Sequence, residues 1–165
     1  NQVPNICDNE LSIYADGEQQ EALLKKLTKR LESEESVFDF EKIVPSPDWD
    51  NTPNEDGELP SEVEEIRNKS NGLLVMSIKK FPSTGKSDER WYRWNCDNWG
   101  TKWNAFDVTR EICEYGDEVK YYFGTAWDAP REILIALKEQ YPQLSFRWFY
   151  RIEGWEACGF LHEEV

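Results

Sequence analysis

Residues 105–126 alternate between apolar and polar side chains on both sides of a turn over 114–117, and this pattern restricts the fold most. Alternation with period two around a glycine-containing turn is typical of a β-hairpin. If Ile112 lies opposite Val119, one face of the hairpin carries Phe106, Val108, Ile112, Val119, Tyr121 and Phe123. The other face then carries Ala105, Asp107, Thr109, Glu111, Lys120 and Tyr122. The sequence therefore predicts an antiparallel strand pair that is covered on one side.

The same register brings two unusual segments to one end of the hairpin. They are 98–107 (NWGTKWNAFD) and 124–130 (GTAWDAP), and the register places Asn104 beside Trp127. Indoles, an amide, a lysine and a carboxylate within so small a region could stack a planar ligand or bind a peptide. We define the Trp-rich site as seven candidate residues for binding a ligand or partner: Trp99, Thr101, Lys102, Trp103, Asn104, Trp127 and Asp128.

A purely structural interpretation of these residues stays open. Trp99 and Trp127 could be core residues, because buried indoles with a bonded N–H are ordinary core components. Gly100 could simply end a helix, and the Asn104 amide could satisfy loop backbone. The pattern alone does not separate this interpretation from a binding site.

A catalytic interpretation is also possible. Lys102 beside Asp107 or Asp128 could form an acid–base pair if burial shifted its pKa values. Exposed pairs of this kind are more common and contribute roughly 0–1 kcal/mol to stability. No activated nucleophile or base accompanies the pair, and His162 is the one histidine of the chain, near its end, where we expect it at the surface. We therefore expect no catalytic residues, and a hydrolase with Asp107 or Asp128 as the base is a third hypothesis.

The net charge of -14, with a sequence pI near 4.5, excludes several classes of protein. Such a chain is repelled by phosphate backbones and anionic lipid, so we expect no direct nucleic-acid binding. No apolar run reaches the length of about 20 residues that spans a bilayer, so we expect no membrane partner. The four cysteines, Cys7, Cys96, Cys113 and Cys158, form no CxxC pair. We therefore expect no metal and no cofactor, and reduced, mostly buried thiols in the cytoplasm, with Cys7 in the core.

An acidic stretch over 48–65 contains eight acidic residues and neither lysine nor arginine. They are Asp48, Asp50, Glu55, Asp56, Glu58, Glu62, Glu64 and Glu65, and the first five make up the candidate acidic loop. The surrounding prolines and a glycine predict a solvated loop. Alternatively, the carboxylates could imitate DNA phosphates in the basic groove of a host defence factor. Their spacing lacks the ligand pattern of an EF-hand, so it does not indicate a calcium site.

Hydrophobic periodicity and turn residues predict the remaining elements. Before residue 81 they are a strand over 9–15, a helix capped by Asp16 and reaching Ser33, an extended piece over 38–43, a helix over 61–68, and an apolar segment over 72–80 that is ambiguous between helix and strand. Next comes a helix that is capped by Ser87 or Asp88, ends at Gly100 and carries Trp91, Trp94 and Trp99 on roughly one face. The last elements are a helix from Pro130 to Pro142 and strands over 144–150 and 155–161.

This order predicts an α+β fold with a ferredoxin-like split βαβ antiparallel sheet. A large insertion follows the first helix, and an extra strand is added at the C-terminal end. We expect one domain over 1–165, in which 45–98 form the insertion from the acidic loop and helices.

Four segments resemble the YubB-type proteins of plasmids and phages. Residues 3–11 resemble the opening PNWC-x-N-x-L of that family, and 38–45 resemble its FDF-x-K-I-I-P segment. Residues 91–107 resemble WYDW…NWGTKWNAYD, and 123–130 resemble F-x-TAW-x-PP. Ile6 stands where the family usually has Trp, and the acidic stretch is outside every match. The resemblance implies a ferredoxin-like fold and a phage or plasmid origin, and it transfers no catalytic residue.

These observations favour a non-enzymatic interaction protein of a phage or plasmid, which binds a host protein in the cytoplasm of a bacterial cell. An alternative is a small-ligand or nucleotide-binding domain that uses the Trp-rich site. A further alternative is an acidic DNA mimic that inhibits a host defence factor. The oligomeric state is open, because an edge strand of the sheet could pair with another chain.

Overall fold

A computed structural model describes residues 5–152, 154 and 157–162 of the chain. The chain divides into two compact units, which we call the sheet unit (Asn1–Pro45 with Asn95–Val165) and the hairpin unit (Ser46–Trp94). The elements in chain order are β1 (Ile6–Tyr14), α1 (Glu18–Arg30), β2 (Glu62–Arg67), β3 (Leu74–Lys80), α2 (Arg90–Trp99), β4 (Phe106–Ile112), β5 (Glu118–Ala126), α3 (Arg131–Gln140), β6 (Ser145–Ile152) and β7 (Cys158–Phe160). The expectation of one domain with an insertion over 45–98 stays a prediction.

The sheet unit contains five strands in the order β4-β5-β1-β6-β7, and every neighbouring pair is antiparallel. The four strands β4, β5, β1 and β6 have the topology of a ferredoxin-like sheet, in which α1 and α3 connect strands that are not neighbours. The additional strand β7 extends the sheet beyond β6, as the sequence predicted. The predicted strand over 155–161 includes Trp155 and Glu156, which lie outside the described residues.

One face of this sheet is covered, and its side chains form the core. Along β1 the side chains of Cys7, Asn9, Leu11 and Ile13 are buried, and the opposite positions Asp8 and Glu10 are not. The covering layer comes from the buried leucines and isoleucine of the helices: Leu24, Leu27, Ile133, Leu134 and Leu137. We call the other side of the sheet the open face. The side chains that alternate along each strand therefore divide into a core set and a set on the open face.

A β-bulge in β4 corrects the predicted hairpin. Thr109–Ile112 pair with Val119–Tyr122 as predicted, but the register then shifts and Phe106 lies opposite Gly124, where the sequence predicted Thr125. Asp107, at the bulge, has a φ of 51°. The inserted residue reverses the direction of Phe106, which lies on the open face and not on the covered face with Val108. Its ring fills the space above Gly124, where a Cβ would come within 2.5 Å of the ring.

Three further local predictions on the sheet unit are wrong. Gly17, with a φ of 88°, is the N-cap of α1, and Asp16 supplies no side-chain cap because the chain turns one residue later. Residues 40–42 form a 3-10 turn and not an extended piece, since the Asp39 carboxylate accepts the Glu41 N–H at 2.8 Å and caps the turn. The exposure of Ile112 is 57%, because β4 is an edge strand and an open groove lies between Ile112 and α1.

The hairpin unit contains a two-stranded sheet of β2 and β3. The predicted helix over 61–68 is therefore wrong: pairing with the apolar strand over 74–80 outweighs the helix propensity of a glutamate-rich segment. The acidic stretch is correspondingly only in part a loop, since it includes a 3-10 turn at Trp49–Asn51 and the first four residues of β2, 62–65.

Arg90 organises the base of the hairpin unit. Its guanidinium donates to the carbonyl oxygens of Trp49 and Pro53, each at 3.1 Å, and pairs with the Asp88 carboxylate at 2.8 Å. It also stacks over the rings of Trp49 and Phe81, at 4.9 and 5.3 Å from their centroids. Asp88 accepts the Arg90 N–H at 3.3 Å and so caps α2, as one of the two predicted candidates. On α2, Trp91 is exposed, Trp94 is half-buried and Trp99 is buried, so the three predicted indoles differ in their burial.

Candidate functional site

The two segments of the Trp-rich site meet where the chain leaves β5. The Thr101 hydroxyl donates a hydrogen bond of 2.7 Å to the carbonyl oxygen of Ala126. Gly100 has a φ of 84° and lies against the start of α3, where a Cβ would come within 2.9 Å of the Arg131 nitrogen. Only glycine adopts that conformation and permits that approach without strain. The hydrogen bond from Thr101 to Ala126 and the pairing of Phe106 with Gly124 in the hairpin together join 98–107 to 124–130.

Trp99 and Thr101 are both buried and hold the fold together. Trp99 is 4% exposed, packs edge-to-face on Phe40 at 5.6 Å, and donates from its indole nitrogen to the Val44 carbonyl oxygen at 2.9 Å. Thr101 is 3% exposed, and its hydroxyl bonds Ala126 as described above. Neither side chain offers a surface to a ligand in this structure.

Asn104 joins the segment before β4 to the 3-10 turn after α1. Its carbonyl Oδ1 accepts the backbone N–H groups of Phe40 and Ala105, each at 2.9 Å. Its Nδ2 donates to the Asp39 carboxylate at 2.7 Å. Both ends of the amide are therefore used inside the fold, as the structural interpretation of this residue requires.

The other four candidate residues supply the accessible part of the Trp-rich site. Trp103 and Trp127 are 41% and 45% exposed, and the Lys102 ammonium lies 4.5 Å from the centre of the Trp103 ring. Trp127 has a φ of 70°, a conformation that is costly for a bulky residue and that often marks a functional position. The backbone N–H of Trp127 donates to the Asn5 carbonyl oxygen at 2.8 Å, and this bond holds the turn in place. Asp128 accepts the Ala129 N–H at 2.8 Å.

A buried polar chain supports this end of the sheet from within. Trp148 donates from its indole nitrogen to Asn9 Oδ1 at 3.0 Å, and Asn9 Nδ2 donates to the Thr125 hydroxyl at 2.9 Å. The Thr125 hydroxyl donates in turn to the Asp128 carbonyl oxygen at 2.7 Å. The chain thus connects β6, β1 and β5 to the turn that carries Trp127. Sequence analysis missed it, although the polar Asn9 among apolar alternate positions of β1 was a signal.

The cysteines differ in their surroundings. Cys7 is fully buried beside this polar chain, as predicted, and burial raises the pKa of its thiol to about 11. Cys96 and Cys113 are half-buried and Cys158 is exposed, so the expectation of mostly buried thiols is wrong for these three. Their segments lie at the rim of the sheet unit, where burial is incomplete. The pKa of the Cys96 thiol is also raised, and burial is the largest of its causes.

Comparison with known families bears on this same region. Residues 98–162 match a family described as a ferredoxin-like domain in Api92-like protein. The matched part begins at the end of α2 and contains β4, β5, α3, β6 and β7, so it includes the whole Trp-rich site. The family description and the observed strand order agree, and the predicted ferredoxin-like α+β fold is confirmed. No curated protein and no solved structure matches the chain.

The five residues of the candidate acidic loop lie in the hairpin unit and differ in their contacts. Asp48 accepts the Asn51 amide at 2.7 Å, and Glu58 accepts the Ser83 N–H at 2.8 Å. Asp50 lies 3.9 Å from the Lys79 ammonium. The remaining two, Glu55 and Asp56, are exposed in the turn that follows. Three of the five carboxylates therefore have partners within the unit.

The described residues contain neither a group of metal-ligating side chains nor a membrane-spanning helix. Among residues 5–152, 154 and 157–162, no group of three or more histidine, cysteine, aspartate or glutamate side chains is arranged to hold a metal ion. Over the same residues, no helix has the length and apolar character needed to cross a membrane. His162 is exposed, as the sequence predicted, and its carbonyl oxygen accepts from Arg131 at 2.7 Å.

The hairpin unit carries a surface that sequence analysis did not identify. Seven large apolar side chains between residues 59 and 76 are at least 40% exposed: Leu59, Val63, Ile66, Leu73, Leu74, Val75 and Met76. The apolar run at 73–76 was the signal, but it is equally typical of a buried strand. The structure shows that every residue of β2 and the apolar run at 73–76 are exposed, which the sequence pattern alone does not decide.

Proposed function

We propose that this chain is a non-enzymatic interaction protein and that the β2–β3 hairpin is the element that binds its partner. The observation that carries the proposal is the exposed apolar surface of that hairpin. Contiguous exposed apolar patches on a folded protein usually mark interaction sites. A two-stranded hairpin is only marginally stable by itself in water, so a partner that covers one face would also stabilise it.

The strand register defines which side chains act together. Ile66 lies opposite Met76, and Ile78 lies on the same face two residues further along β3. Ile66 and Met76 are 40% and 50% exposed. We call these three side chains the hairpin patch. Val63, 50% exposed, pairs with Lys79 and points to the opposite face, which makes it a matched control.

The nature of the partner follows from charge and from the family resemblance. A net charge of -14 favours encounter with a basic protein and disfavours acidic ones. The resemblance of four segments to YubB-type proteins supports a phage or plasmid origin and hence a partner from the bacterial host. On this proposal the chain acts in the cytoplasm of the host cell and binds a host protein.

The test is affinity capture from host lysate with four versions of the protein. A partner that the wild type and Val63→Ser retain, and that Ile66→Ser/Met76→Ser loses, would support the hairpin patch as the docking surface. Circular dichroism of each variant would verify that the sheet unit is intact. No enrichment by the wild type at either low or moderate salt would contradict an interaction function. A partner lost only in Trp103→Ala/Asp128→Ala would contradict the hairpin and transfer the binding to the Trp-rich site.

A second candidate function rests on the two exposed indoles of the sheet unit. Trp103 and Trp127 together with the Lys102 ammonium could stack a planar small ligand, which is the alternative that the sequence suggested. Tryptophan emission and melting temperature, measured over a broad panel of metabolites, would test it. A ligand whose effect disappears in Trp103→Ala but persists in Trp91→Phe would support the site. A panel without any shift would remove this candidate.

A further inference from the structure

The open face of the sheet carries a depression whose floor is Ser12. In the strand register Ser12 lies opposite Lys120 on one side and opposite Arg147 on the other. Directly opposed side chains in an antiparallel sheet are about 5 Å apart at their Cβ atoms. A serine between two long cationic side chains therefore leaves a hollow, which has a volume of about 250 Å³. Its other lining residues are Glu10, Tyr14, Phe149 and Phe160.

Two polar groups in this hollow have no partner in the described part of the chain. The Ser12 residue is 5% exposed, and its hydroxyl, which lines the hollow, makes no hydrogen bond to the described residues. The exposed Arg147 guanidinium likewise makes no hydrogen bond or ion pair to them, and its one contact is with the ring of Phe160 at 4.8 Å. The Ser12 hydroxyl and the Arg147 guanidinium are therefore both available to a molecule that enters the hollow. The stacked, unpaired arginine indicates that the occupant is an anion.

The second cation, Lys120, supplies less free charge than Arg147. The Lys120 ammonium lies 3.3 Å from the Glu10 carboxylate, and this pairing is the main cause that raises the pKa of Lys120. Lys120 can donate to an anion while it keeps Glu10, because an ammonium has three donors. The Arg147 guanidinium, the Lys120 ammonium and the Ser12 hydroxyl thus line a space that suits a single phosphate group. Since Glu10 offsets much of the local positive charge, the hollow is poorly suited to a long polyanion.

The aromatic side chains place a second requirement on the occupant. Phe149 follows Arg147 by two residues on the same face, which separates them by about 7 Å along the strand. Phe149 is 37% exposed and meets Phe160 edge-to-face at 5.5 Å. A ring stacked on Phe149 could therefore belong to the same molecule as a phosphate bound at Arg147. Glu10, opposite Phe149, offers acceptor oxygens to amino or hydroxyl groups of that molecule.

From this arrangement we propose that the open face binds a nucleoside monophosphate or an equally small planar phosphate ester. The phosphate lies between Arg147, Lys120 and the Ser12 hydroxyl. The base stacks on Phe149, and Glu10 accepts from the base or the ribose. This site uses none of the residues of the hairpin patch or of the Trp-rich site.

Nuclear magnetic resonance titration of the full chain with AMP, GMP, CMP and UMP tests the proposal. We expect at least one of them to shift backbone amides of β1, β5 and β6. Arg147→Gln should weaken that binding by about tenfold or more, because a lost bond to a charged group has that effect. The matched control is Arg151→Gln, which removes an arginine on the same strand and face that is already paired with Asp8 at 3.3 Å.

Four outcomes would overturn the proposal. The first is the absence of shifts with every monophosphate at millimolar concentration. The second is adenosine binding as tightly as AMP, which would remove the role of the phosphate. The third is an equal loss of affinity in Arg147→Gln and Arg151→Gln, which would indicate a general charge effect. The fourth is binding of an oligonucleotide where single nucleotides do not bind. Melting temperatures of both variants equal to that of the wild type would show that folding is not the cause.

Discussion

The indole nitrogen of Trp148 donates a buried hydrogen bond of 3.0 Å to Asn9 Oδ1, across 139 residues of sequence. Both side chains lie on the covered face of the sheet, with exposures of 1% and 3%. The other end of the Asn9 amide donates to the Thr125 hydroxyl, so this one residue satisfies polar groups on both neighbouring strands. A polar residue in the middle of a core strand is therefore part of what fixes the strand order β5-β1-β6.

Asn9→Ala should destabilise the sheet unit, because the Trp148 indole nitrogen would remain buried without a partner. An unsatisfied buried group costs about 1–3 kcal/mol, and two groups are affected here, so we expect a loss of about 3 kcal/mol or more. Urea denaturation followed by tryptophan emission would measure the free energy of unfolding. Gln143→Ala, in an exposed turn, is the control and should leave it unchanged. A loss for Asn9→Ala no larger than that of the control would show that the hydrogen bond has little weight.

Gly124→Ala should also be destabilising, through a specific clash with Phe106. The new Cβ would lie within 2.5 Å of the ring, and such overpacking typically costs 1–3 kcal/mol, so we expect roughly 2 kcal/mol. In a Phe106→Ala background the same substitution should have almost no effect, because the ring is gone. A double-mutant cycle with chemical denaturation gives the coupling energy between the two positions. Additive effects would mean that the ring does not lie over Gly124.

Stability should fall at alkaline pH, and Cys7 should be one cause. The pKa of its buried thiol is about 11, whereas an unshifted cysteine titrates near 9. Between these values the unfolded chain has lost the proton that the folded chain keeps, so each rise in pH favours unfolding. The thiol therefore adds stability below pH 9 that is lost progressively by pH 11. Tyr121, whose pKa burial raises to about 12, acts in the same direction at higher pH.

The measurement is the melting temperature of the wild type and of Cys7→Ala at several pH values between 8 and 11. The decrease over this range should be smaller in Cys7→Ala. Cys158→Ala, at an exposed position, should behave like the wild type. If Cys7→Ala and the wild type had parallel profiles, the buried thiol would not contribute to the alkaline transition.

Arg90→Lys should loosen the hairpin unit although it preserves the charge. The guanidinium bonds two backbone carbonyls and Asp88 at once, and an ammonium on a flexible stem cannot reproduce that fork. Hydrogen exchange should therefore become faster over 48–54 and 86–90, with little change in β1, β5 and β6. Arg93→Lys, on the same helix, is the comparison at an exposed position. Equal exchange in both variants would show that Arg90 does not hold the turn.

Much of the fold could be predicted because the spacing of apolar residues along the chain indicates the type of each element. Tyr121 and Phe123 alternate with polar neighbours, and Leu24 and Leu27 recur at helical spacing, so each element reveals its type and its buried face. The order of those elements along the chain is compatible with only a few sheet topologies, and the ferredoxin-like sheet is one of them. The seven residues of the Trp-rich site were also singled out from local sequence, since their residue types are unusual in a connecting segment.

Only the tertiary structure decided the features that depend on partners distant in sequence. The bulge at Asp107 moved Phe106 to the open face, and one inserted residue is invisible to a pattern of period two until the partner strand is known. β2 became a strand because β3 pairs with it, against the helix propensity of its glutamates. The buried roles of Trp99, Thr101 and Asn104 were set in the same way, by Val44, Ala126 and Asp39. The sequence by itself determined which faces are apolar, and long-range packing determined what each face meets.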